Sequence, residues 1–382
     1  MSEPVDITKS NRFAKIKKYL SKKPPKKRLA IVSGVSAGVL IAGSFAAVTL
    51  IKDTTVLNDA PVIESTYVEP VAKIYSPLTG LPTTQQLAQR PVTAVMIENS
   101  IDARPQAGLD EAGVVFEAIA EGGITRFMAM FQESQPGKIG PIRSARPYYV
   151  EWAKGFDAAY AHSGGSGQAL ELIQTLGVKD LDHGKSASYF DRVSNRYAPH
   201  NVYTDMSRLD AFKDEKGYSQ SKFEPFVRKI DSDDEDIKSI KNDTAVTVPD
   251  TRSPATSIEF DISSPLYNTS YTYNSEANDY SRIMAGRAHN DESTQKQISP
   301  AVVIGLITEY SIHPNRIHSI YRTTGVGKAM IFQDGKMQKA TWSKKSANDP
   351  LAFIDLDNNP IELVRGQTWI TAIPDGRISF TP

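Results

Sequence analysis

The period of apolar and polar positions changes along the chain, and the changes divide it into segments. Residues 29–51 form an uncharged, largely apolar run of 23 residues, and about 20 such residues in helical form cross a hydrocarbon core. This run predicts a single transmembrane helix. Residues 52–73 are rich in Thr, Pro and acidic residues without an apolar period, as expected of a stalk. From residue 74 short β-rich runs alternate with Gly and Pro. Residues 92–97 read as a strand, and 114–120 pair with 125–131 across Gly122-Gly123 as a hairpin. Residues 144–152 resemble a helix start interrupted by Pro147. A strand at 158–162 leads through Ser163-Gly164-Gly165-Ser166-Gly167 into a helix ending at Leu176. Strand, glycine loop and helix in that order indicate an α/β or α+β first domain over residues 74–227.

Residues 228–254 contain the run Asp231-Ser232-Asp233-Asp234-Glu235-Asp236 and read as a charged linker. Beyond it, residues 255–382 alternate strand-like segments with turns and predict a mainly β second domain. Its continuous apolar strand is 301–307. Residues 329–332 meet 337–342 across Asp334-Gly335, and 353–356 meet 361–364 across Asn358-Asn359-Pro360. If 267–273 is extended, Tyr271 and Tyr273 share one face as an aromatic platform.

Composition adds the compartment. At 382 residues, with 40% hydrophobic and 23% charged positions, the chain is long enough for two globular domains. The absence of cysteine excludes disulfide scaffolds, thiolate metal sites, cysteine nucleophiles and a lipid-modified amino-terminal cysteine. A formal net charge of zero conceals an asymmetry: residues 1–28 carry ten Lys or Arg against two acids, and the remainder is net −8. The basic flank places the amino terminus in the cytoplasm and everything after residue 51 outside. A cleaved signal peptide is the competing reading, but Ser44-Phe45-Ala46 is a poor cleavage site and the run exceeds the usual 7 to 15 residue apolar segment. Beside a membrane helix the basic tail is a topology signal, so no nucleic-acid partner is expected.

Reactive side chains cluster beside backbone-restricting residues in the first domain. Arg104, Arg126, Arg143 and Arg146 supply planar donors suited to phosphate or carboxylate, and Ser166 and Asn201 sit where a glycine loop and a turn would present them to an anion. His162 and His200 are candidate general acid/base residues, with Glu121 as orienter or base. Each has a plainer alternative. The arginines pair with Glu98, Glu117, Glu121 and Asp157, and Ser166 caps a helix. The segment Gly164-Gly165-Ser166-Gly167-Gln168 misses the nucleophile-elbow pattern at its last place. No H-E-x-x-H spacing is present, and Gly325-Val326-Gly327-Lys328 lacks the remainder of a phosphate loop. No metal or cofactor is specified.

The segments Arg90-Pro91-Val92 through Ile97-Glu98-Asn99, Ala103-Arg104-Pro105-Gln106, 121–127, 139–147, 162–166, 198–203 and Gly366-Gln367-Thr368-Trp369-Ile370 together resemble the YerB-like extracytoplasmic family. The resemblance covers residue 74 to the end and implies a cell-envelope location and two coupled domains. That family is a lipoprotein-like domain of unknown function in two parts, so no catalytic residue is carried over. This chain lacks the cysteine that lipoprotein members acylate, which leaves the 29–51 helix as its expected attachment. The functional expectation is binding of an anionic envelope component, peptidoglycan or a glycopolymer. The alternatives are a hydrolase or transferase acting on that material, and a protein-interaction scaffold.

Overall fold

The computed structural model describes residues 73–229, 250 and 252–382. The expected cytoplasmic tail, the membrane helix, all but the last residue of the stalk and most of the charged linker lie outside the described residues. Among the described residues no helix is long and apolar enough to cross a membrane. Glu69–Pro382 forms one compact unit by itself.

The first part is mixed α/β. It contributes strands β1 (Thr93–Glu98), β2 (Val114–Glu121), β3 (Ile124–Phe131), β4 (Ala159–His162) and β5 (Lys179–Asp182), with helices α1 (Gln85–Ala88), α2 (Pro147–Gly155), α3 (Gly167–Thr175) and α4 (Met206–Lys216). The second part is mostly β and has no helix among its described residues. In chain order it adds β6 (Ser253–Pro254), β7 (Ser257–Phe260), β8 (Thr269–Asn274), β9 (Asp279–Met284), β10 (Arg287–Ala288) and β11 (Val302–Ile307). Then follow β12 (Gly325–Gln333), β13 (Lys336–Lys344), β14 (Ala352–Ile354), β15 (Thr368–Ile373) and β16 (Ile378–Thr381).

One sheet of eleven strands runs through both parts in the order β6-β13-β12-β11-β15-β2-β3-β1-β4-β5, with β14 added on β13. A second sheet of five has the order β10-β9-β8-β7-β16. The two parts meet where β15 lies parallel to β2, from Thr368 opposite Val114 to Thr371 opposite Glu117. Adjacent residues of a strand point to opposite faces, and β2 shows what each face carries. Phe116 stacks on Trp152 of α2 at 5.0 Å between ring centroids. Glu117 points the other way and bonds Arg282 on β9 of the small sheet. The main sheet therefore lies between a helical layer and a second sheet.

Several local expectations are met within a residue or two: β1, the β2–β3 hairpin, β4, α3, β11 and the β12–β13 hairpin. Others are corrected. Pro147 does not interrupt a helix. It opens α2 as the first helical residue after an extended Arg146, a place where the missing N–H costs nothing. The 353–356 segment does not build a ladder with 361–364, because the open edge of β13 takes β14 instead, pairing Thr341 with Ile354 and Ser343 with Ala352. What remains of that hairpin is one bridge, Ile354 to Pro360. Tyr271 is no exposed platform: it faces the interior between the sheets, fully buried, and only Tyr273 is part-exposed.

Candidate functional site

The parallel strands β1, β4 and β5 end on the same edge of the main sheet, the edge where ligands commonly bind in open α/β sheets. Glu98 closes β1 there and is 3% exposed. Its Oε1 collects three donors from three segments: Ser100 Oγ at 2.9 Å, His200 Nδ1 at 3.0 Å and Arg143 Nε at 3.3 Å. The last is an ion-pair contact rather than a well-directed hydrogen bond. With Nδ1 committed to Glu98, the His200 ring turns Nε2 outward, 4.0 Å from Asp102 Oδ2. A carboxylate-oriented imidazole with one free nitrogen is the arrangement used for proton transfer. Ser100 shares the Nδ1 side, so it does not stand where a nucleophile activated by Nε2 would.

A second cluster sits beside it on the helical face. Between Ile119 and Glu121 the β2–β3 register slips, and this bulge sets Glu121 opposite Ile124, on the side of Arg126. The Glu121 carboxylate accepts from Arg126 Nη2, and from Arg146 Nη2 at 2.6 Å. Burial pushes the Glu121 carboxyl up, but the two guanidiniums outweigh it and hold it below the usual carboxylate range. Glu121 is thus an ionised counter-charge whose hydrogen bonds go to arginines and to neither His162 nor His200. Arg126 and Arg146 also donate to the carbonyls of Ser144 and Ala145, respectively.

The remaining sequence candidates have structural work. His162 is buried, with Nδ1 at 2.8 Å from the Gly164 carbonyl and Nε2 at 2.9 Å from Asp180, so neither nitrogen reaches a ligand. Asp182 receives the Gly164 and Gly184 N–H groups at 2.9 and 3.0 Å and fills the mouth of the glycine loop. Ser166 caps α3, accepting from Ala169 N–H at 3.3 Å. Asn201 accepts from Arg192 Nη1 at 2.8 Å and bonds none of Arg104, Arg126, Arg143 and Arg146. Among the described residues no three His, Cys, Asp or Glu side chains are placed to hold a metal ion.

Arg104 belongs to the opposite face. Its Nε donates to Asn99 Oδ1 at 3.0 Å, and its Nη2 to the carbonyls of Asn99 and Leu266 at 3.1 and 2.9 Å. No carboxylate lies within ion-pair distance of it among the described residues. Burial pushes its guanidinium down from the ordinary value, and the opposing charge of Glu117 does not offset it. Behind it lies a closed network. Arg282, fully buried, bonds Glu117 at 2.9 Å and His289 Nδ1 at 3.0 Å, and stacks 4.1 Å from the Trp369 ring. Trp369 Nε1 also donates to Glu117, at 3.0 Å. Because His289 accepts at Nδ1, its Nε2 carries the proton toward Gln106 Oε1 at 3.0 Å, and burial drives its pKa well down, keeping the ring neutral. In front of Arg104 a cleft of about 480 Å³ opens between the turn at 101–105 and the small sheet. Two of its lining residues are arginines, Arg104 and Arg287, and none is Asp or Glu.

The chain matches two consecutive family models, "Protein of unknown function (DUF3048) N-terminal domain" over residues 78–219 and its C-terminal domain over 258–370. It is 31% identical over 306 residues to the Bacillus subtilis (strain 168) protein named "Putative lipoprotein YerB", covering 79% of this chain and 87% of that one. The chain belongs to the YerB family. The crystal structure of YerB from Bacillus subtilis superimposes with a TM-score of 0.70 at 28% identity, covering 81% of this chain and all of that one. In this YerB-family fold three positions of the candidate sites escape a sequence reading. Glu98 is visible only as a possible arginine partner, although it organises His200, Arg143 and Ser100. Arg282 lies in an alternating β segment where an exposed charge is the default. Arg287 follows Ala285-Gly286, a turn signal that hides its place at the cleft.

Proposed function

We propose that this YerB-family chain is a single-pass membrane protein with its amino terminus in the cytoplasm, and that its outward-facing folded part binds an anionic envelope component at the Arg104–Arg287 cleft. Support for the location comes from the basic stretch before the uncharged 29–51 run and from the name of the relative, "Putative lipoprotein YerB". The observation that carries the binding reading is the charge of the cleft: two arginines without a carboxylate. Arg126, Arg143 and Arg146 already face Glu121 or Glu98, whereas Arg104, on the other face, has no carboxylate within ion-pair distance among the described residues. Peptidoglycan and anionic glycopolymers supply the required oxygens.

Two experiments test this. Protease added to intact, wall-stripped cells should digest the carboxyl-terminal part; protection until lysis would overturn the topology. The detergent-solubilised full chain should be retained on cell-wall material in a salt-sensitive way, and Arg104→Gln with Arg287→Gln should reduce retention about tenfold or more, since a hydrogen bond to a charged group contributes about 1.5–3 kcal/mol. Unchanged retention by the folded double variant would refute the cleft. The Glu98–His200 pair favours a second reading, hydrolysis or transfer on the same material with His200 as acid or base. The same incubation reads it out: soluble fragments released by the wild type and not by His200→Gln support it, and no release by the wild type removes it.

A further inference from the structure

The cleft has a second property besides its charge. Apart from Arg104, Arg287, His289 and Asn290, it is walled by apolar residues, including Ile101, Leu266 and Met284. Ile101 is 54% exposed and Leu266 47% exposed. Other large hydrophobics are exposed too, but these two line one opening from the two parts of the chain, Ile101 in the turn after β1 and Leu266 before β8. His289 offers no charge, as its ring is neutral and both nitrogens are bonded within the protein. A depression of about 340 Å³ elsewhere on the small sheet shows the contrast: it is lined by Glu259 and Asp261 and by no cation.

Resting on the anion-binding reading above, we infer that the ligand of the Arg104–Arg287 cleft is an amphiphile, a phosphate monoester joined to an aliphatic chain, with its head between the arginines and its chain along Ile101, Leu266 and Met284. The volume suits it, since small-molecule sites commonly measure about 300–1,000 Å³. Arg104 has Nε and Nη2 occupied but Nη1 without a hydrogen bond among the described residues. The Arg287 residue pairs with Met284 through its backbone, and its guanidinium has no hydrogen bond or ion pair among the described residues. Two guanidiniums arriving from separate segments fit a tetrahedral head, whose oxygens diverge, better than a planar carboxylate, which is satisfied by one fork. An aliphatic chain removes the exposed apolar surface from water, a gain that grows with each buried methylene.

Residues 69–382 form a compact unit of their own and can be titrated without detergent. Hexyl phosphate, methyl phosphate and hexanol, each below its aggregation limit, are compared by calorimetry. Hexyl phosphate should bind at least tenfold tighter than methyl phosphate, and Arg104→Gln with Arg287→Gln should weaken both phosphates about tenfold. Leu266→Ser, at a half-exposed position that folding tolerates, should bring the hexyl-to-methyl ratio toward one. Equal affinity for the two phosphates overturns the amphiphile while leaving the anion site standing. Hexanol binding as tightly as hexyl phosphate overturns the anion site itself, and no binding of any probe by the wild type overturns both.

Discussion

Arg282→Ala should destabilise the protein by about 3–5 kcal/mol, because removing one partner of a buried ion pair leaves the other as an uncompensated charge in the interior. The stranded partner is Glu117, 0% exposed, whose Oε2 otherwise accepts from both Arg282 and Trp369. The same change vacates the space against the Trp369 ring and removes the donors on His289 and Tyr271. Urea unfolding should show the loss as a lower midpoint with an unchanged slope. The paired variant Glu117→Gln with Arg282→Met should lose less than Arg282→Ala alone, since no buried charge is then left unpaired. A loss below about 1 kcal/mol for Arg282→Ala would show that this network does not hold the small sheet on the main one. The site depends on that attachment: Arg282 positions His289, and His289 and Leu266 are part of the cleft wall.

What could be read from the sequence, and what could not, follows sequence separation. The β2–β3 hairpin is written locally, in two apolar runs flanking Gly122-Gly123, and α3 is announced by a glycine loop with a capping Ser166. Pairing at long range leaves no such mark. β15 joins β2 across some 250 residues, so nothing local in either part announces that a single sheet spans both. Glu98 and His200 are 102 positions apart, and Glu117 and Arg282 are 165 apart. Tyr271 illustrates the cost: period-2 alternation predicts which residues share its face, but not that the face is covered by Arg282 and the main sheet. The chemistry-bearing types were legible, since arginines, histidines and acids do gather at the strand ends. Which acid answers which base is decided by register, the bulge at Ala120 being the clearest case.

Glu121→Ala should be the most informative change on the helical face. It leaves the Arg126 and Arg146 side chains, 3% and 7% exposed, beside each other without a counter-charge, and a cost of about 3–5 kcal/mol is expected by the same reasoning as for Arg282. Unlike that case, the vacated space has the shape and donors of an anion site, so a small anion can replace the lost carboxylate. The melting temperature of the variant should rise with added formate or phosphate relative to chloride at equal ionic strength. An anion at a hundred times its dissociation constant returns about 2.7 kcal/mol, while the wild type, whose fork is filled, should not respond. A variant indifferent to the choice of anion would mean that the two guanidiniums are held apart by the backbone carbonyls of Ser144 and Ala145 and never formed an anion site. Recovery would instead explain why this arginine set looks like a ligand site in the sequence: it has the donors of one, occupied by the protein's own Glu121, just as Glu98 fills the place beside Arg143 and Asp182 the glycine loop. The Arg104–Arg287 cleft differs in having no such internal occupant among its lining residues, and an external anion is expected there without any mutation.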